Sequence, residues 1–171
     1  KTTKIYSLWF GIFMILQSVL LFFTFDTNYI ALTPNLNKTV DIKPNSLSGV
    51  SGIQRIITDE KGFRNTKKIN YLKKADNKYR IFAIGGSTIE QIYIDQEKTL
   101  THLLQENLDK KYPDFDFEVI NTGVSGLRAI NHIATLNKII PYSPDMVFFL
   151  IGINDWNHHI AENYKRDYKS N

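Results

Sequence analysis

Three short apolar runs, at residues 79–84, 117–120 and 145–151, constrain the fold of this chain more than any other feature. Each is rich in β-branched and aromatic residues, as buried strands are. Each closes on small or polar residues: Gly85-Gly86-Ser87-Thr88, then Asn121-Thr122-Gly123-Val124-Ser125-Gly126, then Gly152-Ile153-Asn154-Asp155. Helical patterns alternate with these runs. Residues 98–112 carry Leu100, Leu103, Leu104 and Leu108 on one expected face and stop at Pro113. Residues 127–140 carry Leu127, Ile130, Ala134, Leu136 and Ile140 and stop at Pro141 and Pro144, and a polar helix is expected over 154–168. Alternation of this kind implies βαβ crossovers and a parallel sheet. In such a sheet the three polar clusters gather on one edge. That edge then holds a serine hydroxyl, a glycine N–H and an asparagine amide, which is a nucleophile with two oxyanion donors. Taken singly, each residue also has a plain structural explanation. Ser87 and Asn154 suit helix N-caps, and Gly126 suits a turn.

On these residues the chain resembles the SGNH (GDSL-type) hydrolase family. Gly85-Gly86-Ser87-Thr88 looks like its first block, Asn121-x-Gly123-x-x-Gly126 like its second, and Gly152-x-Asn154-Asp155 like its third. The resemblance covers residues 79–155, with a fainter echo at Asp59-Glu60-Lys61-Gly62-Phe63-Arg64. It implies an α/β three-layer sandwich on a parallel, flavodoxin-like sheet. It implies Ser87 as nucleophile, and an oxyanion hole made of the Ser87 N–H, the Gly126 N–H and the Asn154 side-chain amide. No cofactor or metal is implied. The substrate class would be small acyl esters, acetyl esters foremost, or an acetylated cell-envelope glycan. The alternative is a non-catalytic, membrane-tethered module of the same fold that binds a glycan or a partner. A phosphate-binding P-loop fits poorly, because no Lys follows the glycine pair.

The sequence departs from the family pattern in two ways. Gly86 stands where the family often has Asp. The family's catalytic Asp and His sit in an Asp-x-x-His block well beyond the third block. Asp155-Trp156-Asn157-His158 fits those letters but overlaps the third block, so His158 is not assigned as the base. The catalytic pair is expected beyond Asn171, and the sheet is expected to show an open edge with apolar surface. His102 and His132 fall in helical segments and read as ordinary polar groups. His158 and His159 follow Asn154 closely enough to approach the mouth of the site, as do Gln91, Tyr93 and Asp95 in the loop after Ser87.

Residues 5–25 form the second informative segment. They are uncharged and apolar apart from Ser7, Gln17, Ser18 and Thr24, and about 20 such residues span a bilayer. Tyr6 and Trp9 suit an interface, Lys1 and Lys4 precede the run, and Asp26 follows it. The positive-inside rule then leaves the N-terminus cytoplasmic and the remainder extracytoplasmic. A cleaved signal peptide is the rival, but residues 23–26 lack a small-residue cleavage pattern. A core helix apolar on all sides would need a larger protein around it. The chain thus divides into an anchor (1–26), a connector (27–50) and a hydrolase-like domain (51–171). Pro34 and Pro44 mark the connector as irregular, a short strand is expected at 51–58 and a turn at Gly62. The net charge is +4 and there is no cysteine, so disulfides and thiolate metal sites are excluded. Residues 61–80 are basic, opposed only by Asp76, yet carry no interleaved stacking pattern for nucleic acid. They read as a solvated face, or one drawn to an anionic surface.

Overall fold

The computed structural model of the chain describes residues 6, 9–17, 29–65 and 67–168. The apolar run at 5–25 lies largely outside them. Residues 9–17 are helical, but no helix among the described residues is long and apolar enough to cross a membrane, so the expected spanning helix is not seen there.

Strands β1 (Asn37–Leu47) and β2 (Val50–Ile57) form an antiparallel hairpin. Much of the expected irregular connector is therefore strand. Pro44 is accommodated because it falls between Ile42 and Leu47, where the pairing register shifts. Ile42, Gln54 and Ile56 share one face and are buried, which is what fixes the register.

The chain then supplies β3 (Lys78–Gly85), a helical turn α1 (Ser87–Glu90), α2 (Leu100–Lys111) and β4 (Asp116–Asn121). Helix α3 (Ala129–Ile139), β5 (Met146–Leu150) and α4 (Ile153–Tyr168) follow. Strands β3, β4 and β5 make a parallel sheet in the order β4-β3-β5. The central strand is buried along most of its length, so its apolar run has no polar face to alternate with. Phe82, Ile84 and Ile120 pack with Ile139 of α3 and with Phe63, Ile69 and Tyr71. Ile81, Phe117 and Val119 form a second cluster, against Leu104 and Leu108 of α2.

Both helices bury only part of the face their leucines and isoleucines suggest: Leu104, Leu108, Leu127, Ala134 and Leu136 are buried or pack on the core, and the rest are not. In α2, Leu100 and Leu103 are exposed while Thr101 and Gln105 are buried. The reason is polar: Gln105 Oε1 accepts the Val119 N–H at 2.8 Å, and Thr101 Oγ1 receives Asn121 Nδ2. An edge-strand donor that would otherwise be buried unpaired outweighs two leucine contacts. In α3, Ile130 and Ile140 are exposed, and His132, Ala134, Thr135 and Ile139 are buried.

The two edges of the sheet differ. Arg64 forms an antiparallel bridge with Asn121 on the outer side of β4. The outer edge of β5 has no strand partner among the described residues, and Met146, Phe149, Leu150 and Ile151 are exposed. The open apolar edge expected of three strands is thus present. At the opposite end of the strands from the polar clusters, buried Arg80 pairs with Glu118 at 2.7 Å. Much of the basic stretch is engaged in the same way: Lys67 pairs with Asp109, Lys74 with Asp145, and Lys78 with both Asp116 and Glu118.

Candidate active site

The chain enters the sheet at its centre, moves to one side for β4 and crosses to the other for β5. Between β3 and β5 the connections therefore diverge, and crevices of this kind, at the carboxyl ends of strands, are where open α/β sheets bind ligands. Ser87 and Asn154 follow the two strands that border that crevice. Ser87 opens α1, is exposed, and has no hydrogen-bond partner for its hydroxyl among the described residues.

Asn154 reaches back to the serine turn. A β-carbon placed on Gly86 would lie 2.8 Å from Asn154 Nδ2, so the amide rests against the backbone just before Ser87. The absence of a side chain at position 86 makes that approach possible. A side chain at position 86 would displace the Asn154 amide. Asn154 Nδ2 donates one hydrogen to the Leu127 carbonyl at 2.8 Å, and the amide's second hydrogen remains available.

The Asn121–Gly126 cluster closes the group. A β-carbon on Gly123 would fall 2.3 Å from the Glu90 nitrogen, so only glycine lets this turn touch α1. Asn121 Nδ2 donates to the Ile89 carbonyl at 2.6 Å while its Oδ1 accepts the Gly123 N–H. The Ser125 N–H donates to the Glu90 carboxylate. Gly126, at φ +79°, is exposed and sits between a residue tied to Glu90 and a residue tied to Asn154. The structure thus brings the Ser87, Gly126 and Asn154 segments together.

Other site-adjacent residues carry weaker sequence signals. Arg64 is 1 % exposed and sends its guanidinium to the carbonyls of Glu90, Gln91, Ile94 and Arg55 and to Gln96 Oε1. Burial lowers its pKa, against the opposing pull of the Glu90 and Asp95 carboxylates. Its only sequence signal was the faint Asp59–Arg64 echo. There Asp59 Oδ1 accepts the Lys61 and Phe63 N–H groups, which folds the turn and points Arg64 inward. Gln91, expected at the pocket, is used structurally: its Oε1 accepts the Leu100 N–H at 2.7 Å. Asp95 binds the Arg55 N–H, and Tyr93 is exposed.

The histidines fall away from a simple base role. Asp155 accepts the Ala129 N–H at 3.0 and 3.2 Å, where a carboxylate suits the start of α3. His158 pairs with Glu162, so the overlapping Asp-x-x-His letters do not form a dyad. His132 is buried, and burial lowers its pKa, with Asp155 and the Leu127 backbone opposing. His102 pairs with Glu106. Among the described residues no group of three His, Cys, Asp or Glu is arranged to hold a metal. No protein-family model matches the chain, and no curated protein matches it.

Proposed function

We propose that the chain is a serine-dependent ester hydrolase or acyl transferase of the SGNH type, acting on small acyl esters. The observation that carries this reading is the Asn154 amide, held against Gly86 beside an exposed serine with one N–H to spare. Ser87 Oγ would attack the acyl carbon after losing its proton to a histidine. The resemblance assigns that role to a histidine oriented by an aspartate, in the family's Asp-x-x-His block. The tetrahedral oxyanion would then accept from the Ser87 N–H, the Gly126 N–H and the Asn154 amide. Donors already fixed in place need no reorganisation as the charge develops.

The uncharged run at 5–25, preceded by Lys1 and Lys4, supports an uncleaved anchor with the catalytic domain outside the cytoplasm. An O-acetylated envelope glycan is the substrate class that suits such a location, and the three-layer, flavodoxin-like sandwich is the architecture that accompanies it.

Asn154→Ala tests the reading on a small acetyl ester with the full-length protein. The expected result is a fall in kcat of about 10²–10³, with KM little changed, since the lost donor acts on the oxyanion. Turnover within a few-fold of wild type removes Asn154 from the mechanism. A protein that binds acetylated glycan but turns over no ester favours the non-catalytic module.

A further inference from the structure

The turn that carries Ser87 is gripped from behind. Its three successive carbonyls, of Ile89, Glu90 and Gln91, accept from Asn121 Nδ2 at 2.6 Å and from Arg64 Nη1 at 2.6 and 2.7 Å. A one-turn helix leaves the first two without internal partners, and the Gln91 carbonyl also accepts the Ile94 N–H. With its backbone fixed in this way, Glu90 sends its own carboxylate across to the Ser125 N–H. The side chain is 2 % exposed.

A buried carboxylate is a costly way to satisfy one backbone N–H, since its charge must be desolvated. What it gives in return is a charge-assisted bond, about twice as strong as a neutral one. The location is where that strength matters. Gly126 adopts φ +79° with open space where its β-carbon would be, and Ser125 is exposed. No side-chain packing at Gly126 therefore holds the peptide whose N–H would face the substrate. The Arg64 guanidinium, which donates to the Glu90 carbonyl, also attracts that carboxylate.

We infer that Glu90 is a positioning residue for the Gly126 donor: its carboxylate anchors Ser125 and thereby aims the Gly126 N–H at the acyl oxygen over Ser87. This rests on the acyl-transfer reading. Arg64 and Asn121 hold Glu90 in place, and Glu90 holds the glycine turn.

The test compares Glu90→Ala and Glu90→Gln in the full-length protein, by ester kinetics and by amide hydrogen exchange at Ser125. Glu90→Ala is expected to lower kcat by about 10²-fold, the scale of an ångström-level misplacement, with KM nearly unchanged. Exchange at Ser125, whose N–H loses its acceptor, accelerates in the same variant, while the β3 amides stay protected. Glu90→Gln, which keeps an acceptor oxygen but loses the charge-assisted strength, is expected to recover part of kcat and of the protection. Should Glu90→Ala not fold, Glu90→Asp takes its place. Its carboxylate falls one methylene short of Ser125, so the same slowing and the same local exchange are expected. Unchanged exchange at Ser125, unchanged kcat, or a Gln variant as impaired as Ala overturns the inference. Exchange needs no substrate, so it separates the two ideas. Accelerated exchange together with turnover that never depended on Ser87 overturns the acyl-transfer reading and the catalytic role of Glu90 with it. Unchanged exchange with Ser87-dependent turnover overturns the role of Glu90 alone.

Discussion

Ser87→Ala is expected to lower turnover of a small acyl ester by about 10⁴-fold or more, the scale seen when a serine nucleophile is removed from a working triad. The size follows from the role. Without the hydroxyl there is no covalent intermediate, and only the donors and substrate binding remain to accelerate attack by water. Stability should barely move, within about 0.5 kcal/mol, because a surface position away from packing rarely costs more. Ser87 meets that condition, being exposed and making no side-chain hydrogen bond among the described residues. Steady-state kinetics and urea unfolding of the same preparation check both halves. A variant that keeps a tenth of its activity, or one that loses several kcal/mol, contradicts the assignment.

Arg64→Ala should do the reverse, striking the fold first. The guanidinium satisfies four backbone carbonyls and Gln96 Oε1 in a buried setting. Each buried acceptor left unpaired costs about 1–3 kcal/mol, though water entering the vacated space recovers part of that. A net loss of roughly 3–5 kcal/mol is expected, as when a buried hydrogen-bond network is broken. For a chain of this size that corresponds to a fall of roughly 10 °C or more in Tm. Arg64→Lys should recover little, since a single ammonium cannot reach acceptors spread around a planar fork. Thermal and urea unfolding measure the effect, and a loss under 1 kcal/mol would show that the network is dispensable. Activity should fall as well, through the turn that Arg64 grips.

The parallel sheet and its helices were legible in the sequence because each strand is a short apolar run closed by glycine or a polar cluster. The second and third runs end within a residue or so of β4 and β5. The meeting of the segments that carry Ser87, Gly126 and Asn154 was legible for the same reason, since parallel strands put their carboxyl ends on one edge. The facing of the helices was legible only in part, since Leu104, Leu108, Ala134 and Leu136 do meet the core. Leucine spacing pointed to Leu100 and Leu103, but the N–H of Val119 and the amide of Asn121 drew Gln105 and Thr101 inward. Hydrophobic periodicity carries no information about an unpaired donor on a neighbouring strand. Strand β1 was hidden by Pro44 and a run of polar residues, because its pairing depends on β2 rather than on its own composition. Glu90 and Arg64 were hidden for a related reason. A charged residue in a sequence looks solvated, and only the fold reveals that both are buried and bonded to the turns around the serine.

Covalent trapping of the nucleophile is the most direct measurement. The full-length protein is incubated with a fluorophosphonate, digested, and the adduct located by mass spectrometry. Adduct on Ser87 is predicted, absent from Ser87→Ala and formed more slowly in Asn154→Ala. Adduct at a different serine, or none under conditions where the protein cleaves an acetyl ester, contradicts the convergence of these three segments as an acyl-transfer site.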